Sequence, residues 1–129
     1  MTLGGVLTAM VTPFGPDGGL DEEAAADLIR HLLANGSDGV VLAGTTGEGS
    51  TVTDDEDVAL WELGVEIAGD ATVIAGTGTN DTRHSIELTE RAAACGVDAA
   101  LVSPRTTTAP TGPVCWPTTG PSQGPPTCR

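Results

Sequence analysis

Val40-Val41-Leu42-Ala43 is an apolar, largely β-branched run with no polar residue inside it, and Gly44 stops it. A strand of that kind suits burial on both faces, as in a parallel sheet. Thr45, Thr46, Gly47, Glu48, Gly49 and Ser50 follow, small or polar and with ample backbone freedom. Thr53-Asp54-Asp55-Glu56 then reads as a capping box: the threonine oxygen accepts from first-turn N–H groups and the glutamate reaches back. The stretch Gly39–Thr53 therefore places a polar loop between the carboxyl end of a buried strand and the start of a helix. That edge of the sheet is where α/β folds bind their ligands.

The rest of the chain repeats the pattern. Val6–Thr12 reads as a first strand ended by Pro13, and Asp17-Gly18-Gly19 as a turn. Asp21 caps a helix over Glu22–Leu33, where Ala25, Leu28, Ile29, Leu32 and Leu33 fall at helical spacing and Asn35-Gly36 supplies the stop. Gly39–Ala43 is the second strand. The second helix spans Asp54–Ala68, with Val58, Trp61 and Val65 on one face. Thr72–Ala75 is a third strand running into Gly76-Thr77-Gly78-Thr79. Asn80 or Asp81 caps a third helix that ends at Cys95-Gly96, and Asp98–Val102 begins a fourth strand. The order β-α-β-α-β-α-β with short links implies right-handed crossovers and a parallel sheet.

A formal net charge of −13 argues against nucleic acid or an anionic membrane surface as partner. No stretch reaches the roughly 20 apolar residues of a membrane span, and Met1–Pro13 lacks the basic start of a secretory leader. The expectation is a soluble cytoplasmic protein. Cys95, Cys115 and Cys128 show no metal-binding spacing, and their odd number gives no disulfide framework. At Ser103 the composition changes. The last 27 residues hold seven Pro and seven Thr, and all 18 acidic residues lie before them. Such a segment lacks the apolar groups to offset its ordering entropy, so a disordered tail is expected.

Leu7-Thr8-Ala9-Met10-Val11-Thr12-Pro13-Phe14, Asn35-Gly36-Ser37-Asp38-Gly39, Gly44-Thr45-Thr46-Gly47-Glu48 and Val73-Ile74-Ala75-Gly76-Thr77-Gly78-Thr79-Asn80 resemble the dihydrodipicolinate synthase family, within the class I pyruvate aldolases and lyases. The Gly-Thr-Thr-Gly-Glu and Ala-Gly-Thr-Gly runs, each after a strand, together make the match specific. The family fold is a (β/α)8 barrel, typically of ~250 residues. Residues 1–102 would be its N-terminal portion, about three and a half βα units, and 103–129 a tail outside it.

The family continues its fourth strand with Val-Thr-Pro-Tyr-Tyr-Asn-Arg-Pro, whereas this chain reads Val102-Ser103-Pro104-Arg105-Thr106-Thr107-Thr108. Codons for Arg105–Thr111, read from each third base, permit Tyr-Tyr-Asn-Arg-Pro-Asn. In the same shifted frame Val114–Thr119 permits Leu-Leu-Ala-His-Tyr and Gly124–Arg129 permits Ala-Thr-Asp-Leu-Pro. All three are similar to what the family places there. The tail is therefore read as the product of a frameshift near codon 103.

The resemblance implies a chemistry. A barrel lysine forms a Schiff base with pyruvate, and the derived enamine attacks aspartate semialdehyde to give 4-hydroxy-tetrahydrodipicolinate, toward diaminopimelate and lysine. By match, Thr45 is the hydroxyl of a proton relay completed by two tyrosines, and Thr46 holds the pyruvate carboxylate through its hydroxyl and backbone N–H. Gly44, Gly47 and Glu48 support the loop, with Glu48 expected to bond loop N–H groups. No cofactor and no metal are implied. The family forms homo-oligomers. This chain contains no lysine and no tyrosine, and its arginines stay protonated and form no imine. An inactive, aggregation-prone fragment is expected.

Other readings accompany this one. The chain could belong to another pyruvate-dependent class I aldolase, or be a phosphate- or nucleotide-binding α/β module using Gly44–Ser50. It could also be a fragment that associates with an intact paralogue. Gly76-Thr77-Gly78 lacks the third glycine of a dinucleotide loop. Taken alone, Thr45 and Thr46 read as turn residues. His31 and His84 read as solvated, Trp61 as packing, and Cys95 as a small core residue at a helix end.

Overall fold

The computed structural model describes residues 5–103. Its elements are β1 (Leu7–Ala9), α1 (Glu22–Ala34), β2 (Gly39–Leu42), α2 (Asp54–Ala68), β3 (Thr72–Gly76), α3 (Thr82–Cys95) and β4 (Ala99–Leu101). The four strands form one parallel sheet in the order β1-β2-β3-β4. Leu7 lies opposite Gly39, Gly39 opposite Thr72, and Ile74 opposite Ala99. The expected element order is present, and the calls on residues 104–129 lie outside the described residues. Among the described residues no helix is long and apolar enough to cross a membrane.

Each helix starts where a side-chain oxygen meets an orphan N–H. Asp21 accepts from Ala24 N at 2.9 Å, and Asp81, rather than Asn80, accepts from Arg83 N at 2.8 Å. The capping box of α2 is complete: Glu56 N donates to Thr53 Oγ1, and Thr53 N donates to Glu56 Oε2 at 2.9 Å. The other oxygen of Glu56 accepts from Leu20 N at 3.0 Å, tying the β1–α1 connection to α2. Donation by Thr53 and Leu20 to this carboxylate holds its pKa below the usual value. Asn35 caps the end of α1, and Gly96 ends α3 in the left-handed region at φ 89°.

Valine and leucine side chains on the helix-covered face of the sheet make the core. Val40, Leu42, Val73 and Ala75 pack with Ile29, Leu60, Trp61, Leu88 and Ala92, all essentially inaccessible to solvent. All four residues of β2 are buried, as the unbroken apolar run requires. On α2 the fully buried positions are Asp57, Leu60, Trp61, Gly64 and Ala68. Val58 and Val65, expected on one face with Trp61, are half-buried and pack against the core beside it. Trp61 packs as expected, and Cys95 sits half-buried against the core at the end of α3.

Two strands stop earlier than their apolar runs. After Ala9, Met10 N still donates to Val41 O at 3.1 Å. Thr12 then turns inward to bond Gly47, and Pro13 has no N–H to continue a ladder. β2 ends at Leu42, because Ala43 takes a left-handed φ of 52°. At the opposite end of the sheet two aspartates brace neighbouring strands. Asp38, just before β2, accepts from Val6 N at 2.7 Å and donates its own N–H to Val6 O. Asp98, just before β4, accepts from Val73 N at 2.8 Å and donates its own N–H to Val73 O.

Candidate active site

The sheet's carboxyl edge gathers the ends of β1 to β4 around the loop after β2. Ala43, in its left-handed conformation, swings the chain out of the sheet. Two glycines pack against its carbonyl. A β-carbon on Gly49 or Gly76 would lie 2.1 or 2.4 Å from the Ala43 oxygen, so neither site admits a side chain without moving the backbone. The loop closes on itself through Glu48 N to Thr45 O (3.2 Å), Gly49 N to Gly44 O (3.2 Å) and Thr51 N to Glu48 O (2.7 Å).

A contact 35 residues away in sequence anchors the loop: buried Thr12 donates its hydroxyl to Gly47 O at 2.6 Å. Gly47 is buried, while Thr45, Thr46 and Glu48 are exposed. Among the described residues the hydroxyls of Thr45 and Thr46 make no hydrogen bond, which leaves both able to donate and accept toward a ligand. Gly44 and Thr45 line a small cavity of about 30 Å³ with Gly76, Gly78 and Ser103, at the ends of β2, β3 and β4. That volume suits about one water molecule. Thr46 and Glu48 lie on the loop outside its lining.

Two expectations need correction. Among the described residues the Glu48 carboxylate bonds no loop N–H; the main chain at Glu48 serves the loop instead, its carbonyl accepting from the Thr51 N–H and hydroxyl. Glu48 itself is exposed and has a left-handed φ of 53°. His84 is not simply solvated. Its Nε2 lies 2.9 Å from the Asp54 carboxylate, and that hydrogen bond raises the imidazole pKa. Arg91, bonded to Asp55 at 2.7 Å, completes a link between α2 and α3.

Asp57 is a residue the sequence did not single out. Only 3% of it is exposed, and its Oδ1 has no hydrogen-bond partner. It lines the small cavity and also a neighbouring one of about 260 Å³, alongside Asp54, Asn80 and His84. Burial raises its pKa to about 7, helped by the negative charges of Asp54 and Glu56 and opposed by Arg91 and His84. The folded state thus holds a proton that the unfolded state releases near 3.8. From this group, stability is highest below that value and falls with rising pH until about 7, by up to about 1.4 kcal/mol per pH unit. The Asp57 carboxyl carbon is expected to titrate about three units above an ordinary aspartate in an NMR titration, and amide protection in α2 to weaken over the same window. Asp57→Asn should remove that pH dependence; an ordinary midpoint for Asp57 would refute it.

The match to the Dihydrodipicolinate synthetase family spans residues 2–104. A 4-hydroxy-tetrahydrodipicolinate synthase from Acidothermus cellulolyticus is 55% identical over 100 residues, which are 77% of this chain and 32% of that protein. Among solved structures, a dihydrodipicolinate synthase from Bacillus anthracis superposes with a TM-score of 0.76 at 43% identity, over 79% of this chain and 35% of the other. A dihydrodipicolinate synthase from Acinetobacter baumannii, complexed with pyruvate, gives 0.75 at 39% identity, over 78% of this chain and 35% of the other. The chain therefore spans about a third of the length of its relatives. Its sheet is the first part of their (β/α)8 barrel. The loop, the strand ends and the matched sequence agree, and the chain belongs to the dihydrodipicolinate synthetase family.

Proposed function

We propose that residues 1–102 come from a 4-hydroxy-tetrahydrodipicolinate synthase, and that the 129-residue polypeptide is itself inactive. The observation that carries the reading is the pair of exposed, unbonded hydroxyls of Thr45 and Thr46 on an anchored loop at the carboxyl end of β2. The names of the relatives, and the pyruvate bound in one similar structure, support a pyruvate-type substrate for these hydroxyls.

In the complete enzyme a lysine amine adds to the pyruvate carbonyl and water leaves, giving an imine. The imine withdraws electrons, so a methyl proton departs and an enamine forms. The enamine carbon then attacks the aldehyde of aspartate semialdehyde. Thr45 passes protons between the reacting atoms and tyrosines of the complete enzyme, and Thr46 holds the pyruvate carboxylate with its hydroxyl and N–H. Gly44 and Gly47 let the backbone approach, and Glu48 supports the turn. The proposed enzyme uses no cofactor or metal and works in the cytoplasm as a homo-oligomer.

The polypeptide supplies the threonines but neither lysine nor tyrosine. Residues 103–129 are proposed to be out of frame. Resequencing codons 100–105 tests the shift directly. Incubation with pyruvate and borohydride, read by mass spectrometry, should leave the 129-residue polypeptide unmodified and label a lysine once the frame is restored. An adduct on the present chain away from the Met1 amine would refute the proposal.

A further inference from the structure

We propose that Asn35-Gly36 is a site of spontaneous deamidation, and that its conversion loosens the joint between α1 and β2. Both residues are exposed. Gly36 has φ +98°, and the space where a β-carbon would sit is empty, so residue 36 adds no side chain to obstruct an approach to its nitrogen. Its N–H makes only a long contact, 3.4 Å, to Leu33 O. Asn35 lies outside the helix proper at φ −107° and ψ 22°.

The reaction needs only water. The Gly36 nitrogen gives up its proton and bonds to the Asn35 side-chain carbonyl carbon. The bond from that carbon to Nδ2 breaks, and the nitrogen leaves as ammonia with the proton. Water then opens the cyclic imide at either carbonyl, giving aspartate or an isoaspartyl link. The chain gains a carboxylic acid and loses an amide.

The position makes the change consequential. Asn35 Nδ2 donates to His31 O at 2.7 Å, satisfying a last-turn carbonyl of α1. A carboxylate cannot donate, and its negative charge is unfavourable at a helix C-terminus. An isoaspartyl link also adds one backbone carbon just before Ser37, whose N–H bonds Leu32 O and whose hydroxyl bonds Gly39 O and meets Thr8. Those contacts join α1, β2 and β1.

The full chain carries its own control. Asn80 is followed by Asp81, which has a β-carbon and whose N–H donates to Thr79 Oγ1 at 3.1 Å. Cleavage after glutamate separates the two, since peptide 24–48 contains Asn35 and peptide 67–87 contains Asn80. After incubation at neutral pH, Asn35 should convert at least about tenfold faster than Asn80, to a mixture of aspartyl and isoaspartyl products, and Gly36→Ala should suppress the difference. The Ala34 and Asn35 amides should exchange faster in the converted material than in the parent. Conversion at Asn35 no faster than at Asn80 would overturn the site, and unchanged exchange would overturn the loosening.

Discussion

With the reading frame restored, Thr45→Val is expected to lower turnover by about 100- to 10,000-fold, the usual range for removing a proton-transfer group. Valine keeps the β-branched shape and removes only the hydroxyl. Loop closure depends on main-chain bonds and on Thr12 donating to Gly47 O, so the backbone should stay in place. Thr46→Val should act differently. It removes the side-chain contact proposed for the pyruvate carboxylate but keeps the backbone N–H, so the rise should fall mainly on KM for pyruvate. Steady-state kinetics of the two variants, with borohydride trapping to confirm that the imine still forms, separate the roles. Near-full turnover in Thr45→Val would sink the relay assignment.

The second large effect concerns the 129-residue polypeptide. Its four strands leave β1 and β4 as edges among the described residues. Exposed apolar side chains gather there: Val6 and Val11 flank β1, and Leu101 and Val102 belong to or follow β4. An unpaired parallel edge bordered by apolar groups invites pairing with other chains. The barrel interior is normally filled by side chains from all its strands, and this chain contributes only the first ones. The polypeptide is therefore expected to associate and to melt without a sharp transition, while the frame-restored protein melts cooperatively. Sedimentation velocity and calorimetry on the pair test this. A monomeric 129-residue chain with a sharp endotherm would contradict it.

What the sequence revealed was mostly local. The α2 start was legible because Thr53 and Glu56 are three residues apart and bond each other. β2 was legible because burial on both faces leaves an unbroken apolar run. Its end was not, because the left-handed turn at Ala43 goes with Gly49 of the same loop and Gly76 from the next strand approaching that carbonyl. Asp57 was hidden for a similar reason. Asp54, Asp55 and Asp57 look alike as first-turn acids, and only the packing of α2 shows which one is buried. The buried face also passes through Gly64 and Ala68, whose small side chains carry little hydrophobic signal and were not singled out. Thr45 and Thr46 were singled out by their motif, and the structure places both exposed on the loop after β2. The anchor at Thr12 lay within a matched stretch, but nothing in its spacing pointed to Gly47.

The aspartates at the foot of the sheet bear on how such a barrel is assembled during synthesis. Asp38 fastens β2 to the start of β1, and Asp98 fastens the entry to β4 to the start of β3. Each clasp joins strands that are sequence neighbours, so the contacts that align each pair are all present within two consecutive strands. No later segment is required for them. If the frame is lost just after β4, as proposed, both clasps lie within the correctly read residues. On that proposal the defect shows itself at barrel closure, as exposed edges rather than as misaligned strands.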